Sequence, residues 1–321
     1  MFCTSMIDVA NDLNIPVTYT SPLQRLILAL YSTSQPYLIP SLSPVNRLSV
    51  ILYKETKGIV VNTFQELEPY ALDSLSSDYF DLPPVYPVGL VVDHVGPVKW
   101  HSNRSMHEKA IQWLDRQPDF SVVFLCFGSM GSLNRDQVRE ITSGLERAGY
   151  QFLWSLREPA KTKLELPNDY EKLEEELFPD GFINCTTQIG LVCGWVSQVS
   201  VLAHKAIGGF VSHCGWNSIL ESISYGVPIA TWPLYAEQHL NAFEMVRELG
   251  LSVEIRMVKG GDLVLADEVE RGVRELMDGG DGELKKKVKE MSDKAKKALT
   301  KYDGSSFQAL EDLMNILLSQ V

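Results

Sequence analysis

From residue 106 onward, short and largely apolar runs alternate with longer segments whose apolar residues recur every three or four places. The runs are SVVFLCF at 121–127, QFLWSL at 151–156, LVC at 191–193, GFV at 209–211, VPIATW at 227–232 and LSVEI at 251–255. Strands without a polar face belong in a parallel sheet covered by helices on both sides, so the pattern predicts an α/β fold. In such sheets ligands bind outside the carboxyl ends of the strands. The turns that follow the apolar runs are therefore the places to look for chemistry.

The first of these turns, Gly128-Ser129-Met130-Gly131, is built of small residues. Asn134 then opens a helix running to residue 148, with Gly149 as its stop. Helices are also expected at 107–116 and at the end of a charged segment reaching residue 177. Residues 1–95 are less regular. The apolar spacing of Met6, Val9, Ala10 and Leu13 reads as a helix already under way, which suggests that sequence upstream of Met1 is missing. A helix at 23–31, a Ser- and Pro-rich loop at 32–46, a strand GIVVNTF at 58–64, a helix at 66–75, a strand at 85–92 and an exposed linker at 93–105 follow. Near the end, residues 285–301 form a lysine-rich amphipathic helix. Residues 303–306 break it, and a last helix at 307–318 gathers Phe307, Leu310, Leu313, Met314 and Leu317 on one side.

Composition narrows the function classes. The 321 residues suffice for about two domains, and a net charge of −12 argues against nucleic acid or anionic membrane as general partners. No run of about 18 apolar residues occurs, so no membrane-spanning helix is expected. The start lacks the regions of a signal peptide. Five cysteines, an odd number without a CxxC pair, read as reduced thiols in a cytoplasmic protein.

The stretch from Trp195 to Gln238 concentrates aromatic, small, hydroxyl and acidic residues in a strand–loop–helix–strand order. At its centre a strand leads into the turn His213-Cys214-Gly215-Trp216 and then a helix closed by Gly226 and Pro228. Ser218 and Glu221, three residues apart, have the spacing of a capping box. A glycine-containing turn opening onto a helix N-terminus gathers free N–H groups and the helix dipole at one spot, which suits an anion. Asn217, Ser218 and His213 add side-chain donors, His213 being a charged one if a diphosphate lies near. Taken singly, each feature has a plainer explanation. A histidine before a turn is commonly structural, Glu221 is half of a cap, and Trp195 and Trp216 are core residues. Their combination in one stretch points to a pyrophosphate-bearing ligand.

This stretch resembles the donor-binding box of the plant family-1 UDP-glycosyltransferases, with WVSQ at its start, HCGWNS in its middle and a terminal Glu-Gln. FGSMG, WLDRQP and GIVVNTFQELEPYAL resemble the same family. The last of these and YAEQ are most similar to the group that glucosylates flavonoids, other phenolics and terpenoids. The resemblance implies a GT-B fold of two Rossmann-like domains, the N-terminal one incomplete. It places a remnant acceptor-binding domain at 1–95, a linker and lead-in helix at 96–116, a UDP-sugar-binding domain at 117–300 and a crossing C-terminal helix at 301–321. It implies that Trp195 stacks on uracil, with Val196, Ser197 and Gln198 flanking the uridine. Glu221 would accept from the ribose hydroxyls. His213, Asn217, Ser218 and Ser129 would hold the diphosphate and Trp216, Glu237 and Gln238 the sugar, with Cys214, Gly215 and Tyr235 also in the donor site. The expected reaction moves glucose from UDP-glucose to a hydroxyl of a small acceptor with inversion. It needs no cofactor and no metal, since no DxD-like or His-cluster site is present.

Two departures from the family pattern stand out. The family's catalytic His and its Asp partner map upstream of Met1, so no catalytic base is assigned within this chain. His94, His101, His107, His204 and His239 do not match that position and read as structural or surface groups. Residues 17–56 are also shorter than the corresponding family segment. An alternative is therefore a non-catalytic UDP-sugar-binding fragment or pseudoenzyme. A Rossmann oxidoreductase is disfavoured, because GxGxxG with an acidic residue about twenty positions on is missing. The expected partners are a UDP-sugar and a small acceptor, with the chain acting as a monomer.

Overall fold

The computed structural model describes residues 17–20, 58–76, 82–94, 104–159, 168–170, 177–178, 182, 189–235, 237–257, 263–279 and 282–318. The helices expected at the N-terminus and at 23–31, the loop at 32–46 and most of the segment reaching residue 177 lie outside these residues. In chain order the elements begin with β1 (Val17–Thr20), β2 (Gly58–Val61), α1 (Pro69–Leu75), β3 (Val85–Pro87), α2 (Arg104–Leu114) and β4 (Val122–Cys126). Then come α3 (Arg135–Ala148), β5 (Gln151–Ser155), β6 (Gly190–Cys193), α4 (Gln198–Leu202), β7 (Ile207–Ser212) and α5 (Trp216–Tyr225). The last are β8 (Ile229–Thr231), α6 (Gln238–Phe243) with a π-helical turn at Glu244–Glu248, β9 (Ser252–Glu254), α7 (Ala266–Asp278), α8 (Glu283–Ala298) and α9 (Ser305–Leu318).

The chain divides into two compact units. One comprises Met1–Val91 together with Asp293–Val321, the other the uninterrupted Val92–Ser292. In the first unit β1, β2 and β3 pair in that order, all parallel. The strand expected at 58–64 stops at Val61. There Asn62 turns its amide onto Val91, donating to the carbonyl at 3.0 Å and accepting from the N–H at 2.8 Å. Helix α1 starts at Pro69, where the missing N–H costs nothing. Glu68, just before it, is buried, and burial pushes its carboxyl up to about 7. Helix α9 packs on β3, and Ser305 Oγ donates to Glu66 Oε2 at 2.8 Å. The apolar face expected of α9 is only partly covered within this unit. Phe307, Leu313 and Leu317 are half-buried, whereas Leu310 and Met314 are each 45% exposed.

The second unit is a six-stranded parallel sheet in the order β6-β5-β4-β7-β8-β9. The chain winds outward from β4 in one direction and from β7 in the other, so the switch point lies between these two neighbours. Their ends are level, Cys126 pairing with Ser212. One face packs its apolar side chains, among them Val123, Leu125, Trp154, Val211, Ala230 and Val253, against α3 and α7. On the other face Phe124 and Phe210 stack at 5.3 Å, and α4 packs over β4 and β7. Helix α3 begins and ends as its sequence predicts. Asn134 Oδ1 accepts from the Gln137 N–H at 2.8 Å, and Gly149 closes the helix at φ 75°. Gly144 lets α3 and α7 approach closely, since a Cβ there would lie 2.5 Å from that of Val269. Among the described residues no helix is long and apolar enough to cross a membrane. The described cysteines, Cys126, Cys193 and Cys214, are buried and free.

Candidate functional site

The switch point places two turns side by side, Gly128-Ser129 after β4 and His213-Cys214-Gly215 after β7. The His213 ring fits between them. A Cβ on Gly128 would stand 2.7 Å from the ring, and one on Gly215 would stand 2.6 Å from Nε2. Gly128 also has φ 77°, a conformation that disfavours any side chain. Cys214 has φ 62°, rare for a residue with a Cβ, and its surroundings hold it there. Its N–H donates to Ser212 Oγ at 3.2 Å, and its carbonyl accepts from Asn241 Nδ2 at 2.9 Å.

Helix α5 opens directly from this turn. Its cap position is Gly215, and no side chain caps it. The backbone N–H groups of its first turn are thus left without an intrahelical acceptor, beside the positive end of the helix dipole. The capping box expected from Ser218 and Glu221 does not form. Ser218 sits inside the helix, and its hydroxyl accepts from Gln198 Nε2 at 2.9 Å. The same Nε2 donates to Glu221 Oε2 at 2.8 Å. Gln198, at the start of α4, therefore organises a hydroxyl and a carboxylate on one face of α5. Burial pushes the Glu221 carboxyl upward, the Gln198 hydrogen bond opposes that, and Asp93 nearby adds to it.

His213 is buried, and burial holds its ring down to about 4, with the Cys126 backbone and Glu237 partly opposing. It is neutral at pH 7 in the described chain. A charged His213 would require an anion at the turn. Trp216 is buried in the first turn of α5, whereas Asn217 and Ser129 are exposed. Tyr235 is 46% exposed. Gln238 is buried, and its Oε1 accepts from the N–H groups of Leu234 at 2.9 Å and Tyr235 at 3.1 Å. Its amide oxygen thus shapes the loop after β8.

Trp195 lies half-buried where the chain leaves β6, followed by the buried Val196 and by Ser197, which caps α4. Its ring centroid is 6.3 Å from that of His107 on α2. The sequence places His107 among structural or surface histidines. It is buried, and its Nδ1 accepts from the Ser197 N–H at 3.4 Å. Asp169 carries no motif or spacing signal in the sequence. Its Oδ1 accepts the Trp195 N–H at 2.8 Å. Nothing local marks either residue, because both act on backbone groups far along the chain. Among the described residues no three His, Cys, Asp or Glu side chains gather as a metal site would need.

Residues 43–290 match the profile of the family described as UDP-glucoronosyl and UDP-glucosyl transferase. UDP-glycosyltransferase 43 of Pueraria montana var. lobata is 50% identical over an alignment covering 99% of this chain and 74% of that protein. UDP-glucose flavonoid 3-O-glucosyltransferase 6 of Fragaria ananassa is 48% identical, covering 97% and 73%. Among solved structures, a transferase of Siraitia grosvenorii in complex with UDP superimposes with a TM-score of 0.86 at 40% identity, covering 99% of this chain and 76% of that one. UGT71G1 of Medicago truncatula, complexed with UDP-glucose, gives 0.82 at 38% identity, covering 98% and 73%.

Proposed function

The chain belongs to the plant family-1 UDP-glycosyltransferases, with their GT-B class of α/β fold, and from that premise we propose that it transfers glucose from UDP-glucose to a hydroxyl of a small phenolic acceptor. The observation that carries the reading is the uncapped N-terminus of α5, opening at the sheet's switch point beside His213. We assign donor binding to the unit Val92–Ser292 and acceptor recognition to the other unit.

In this assignment the diphosphate lies against the first-turn amides of α5, with His213, Asn217, Ser218 and Ser129 around it. Glucose transfer leaves negative charge on the departing UDP, and amides aimed at that charge stabilise it without needing a cation. Trp195 supplies a stacking face for uracil. Glu221, held at one oxygen by Gln198, keeps its other oxygen for the ribose hydroxyls. Glu237 and the Gln238 NH2 face the sugar. The acceptor oxygen attacks the anomeric carbon from the side opposite the diphosphate, which inverts that centre. Its proton passes to a general base, a role to which no residue of this chain is assigned. Relatives named as flavonoid and anthocyanidin 3-O-glucosyltransferases support a flavonoid or similar phenolic acceptor.

Calorimetry with UDP tests the donor site. Loss of a base–aromatic stack worth roughly 1–3 kcal/mol predicts that Trp195→Ala weakens UDP binding by roughly 5- to 150-fold. Transfer is tested with UDP-glucose and a panel of flavonoid aglycones, scored by chromatography of the glucosides. A chain that binds UDP but forms no glucoside from any acceptor would point instead to a UDP-sugar-binding protein without turnover.

A further inference from the structure

Trp195 owes its position to neighbours outside the stretch that resembles the donor box. It leaves β6 on a backbone segment that three side chains hold. Ser155 Oγ on β5 donates to the Gly194 carbonyl at 3.0 Å. Asp169 Oδ1 accepts the Trp195 N–H at 2.8 Å. His107 Nδ1 accepts the Ser197 N–H at 3.4 Å. Asp169 is itself fixed. Arg157 Nε, at the end of β5, lies 3.4 Å from the same Oδ1, with the two side chains only 14% and 26% exposed. The Glu158 N–H donates to the Asn168 carbonyl at 2.7 Å, tying the loop that carries Asp169 back to the β5 exit. Gly194 completes the fit, because a Cβ there would fall 2.3–2.6 Å from the Asp169 carboxyl atoms.

We propose that Asp169, backed by Arg157, is a positioning residue for the nucleobase: it sets the height and tilt of the Trp195 platform, and through it the strength of base stacking. This rests on the assignment of Trp195 to uracil. A carboxylate accepting a backbone N–H makes a charge-assisted hydrogen bond, stronger than its neutral counterpart. Arg157, 3.4 Å away, pairs with that carboxylate and restrains it. The platform is a single aromatic face, so a small change in its tilt costs stacking while leaving the amides of α5 untouched.

The test uses the full chain and two probes, UDP and inorganic pyrophosphate, the second lacking a base. Asp169→Ala is expected to weaken UDP by roughly tenfold and to leave pyrophosphate within about twofold. Asp169→Asn, which retains an oxygen acceptor, should recover most of the UDP affinity. If Asp169→Ala does not fold, Gly194→Ala, which drives a methyl into the carboxylate, should give the same selective loss. Equal losses of UDP and pyrophosphate would mean general damage and overturn the proposal. Unchanged UDP binding in Asp169→Ala, with Trp195→Ala still impaired, would also overturn it while leaving the uracil assignment intact. Unchanged binding in Trp195→Ala would remove that assignment, and the proposal with it.

Discussion

At the scale of single residues, the switch point is governed by two glycines and the ring between them. Gly128 is needed twice, for its φ of 77° and for the space that the His213 ring occupies. Gly128→Ala should therefore destabilise the chain by about 2 kcal/mol, read as a lower urea midpoint, and should weaken pyrophosphate binding. His213 itself sets a pH dependence. Its ring is held at about 4 against an ordinary 6.5. Between those values the unfolded chain takes a proton that the folded chain refuses, so stability is lost as pH falls from 6.5 towards 4. The full effect is about 3 kcal/mol. Urea denaturation at pH 7 and pH 5 should show less loss of stability on acidification in His213→Asn than in the parent chain, the difference isolating this slope from the opposing one of Glu68. A diphosphate at the turn acts in the opposite sense, favouring the protonated ring, so UDP binding near pH 6 should take up protons.

At the scale of elements, α3 and α7 illustrate how packing overrides propensity. Alanine is a better helix former than glycine by up to about 1 kcal/mol. At Gly144 the added methyl would meet Val269 Cβ at 2.5 Å, and overpacking of this kind costs about 1–3 kcal/mol. Gly144→Ala should lower Tm despite its favourable propensity. Asn134→Ala, which removes the α3 cap, should cost about 1 kcal/mol in the same assay. The contrast explains what could be read in advance. The start and stop of α3 were legible because Asn134 and Gly149 act on backbone groups within their own helix. The strands around the switch point were legible because their apolar character is local. The capping box was misread because the partner of Ser218 is Gln198, twenty residues earlier and on another helix. Strand order, Asp169 and the role of His107 depend on partners far along the chain, where no spacing rule applies.

At the scale of the whole molecule, each unit holds one buried group that answers acid with the opposite sign to the other's. Glu68 in the first unit is pushed up to about 7 from an ordinary 4.5. Between those values its folded form keeps a proton that the unfolded form releases, so this contribution grows as pH falls from 7 to 4.5. His213 in the second unit contributes in the reverse direction. Amide hydrogen exchange compared at pH 7 and pH 5, after correction for intrinsic rates, should show β2 and β3 gaining protection while β4 and β7 lose it. Glu68→Gln should abolish the gain, because a neutral side chain has no proton to keep.

The unit Val92–Ser292 is one unbroken segment, whereas its companion joins Met1–Val91 to Asp293–Val321. During synthesis, then, the second unit is complete before the first. Ribosomes add about 5–20 residues per second, so β2 and β3 wait on the order of ten seconds or more for α9 to arrive and pack on β3. The usual sequence, in which the amino-terminal unit folds first, is reversed. Chains arrested with Ser292 just outside the ribosome should resist a brief protease pulse across the donor unit and be cut between residues 58 and 91. Release of the remaining residues should close that window. In a cell, this interval is when the amino-terminal strands have most need of a chaperone.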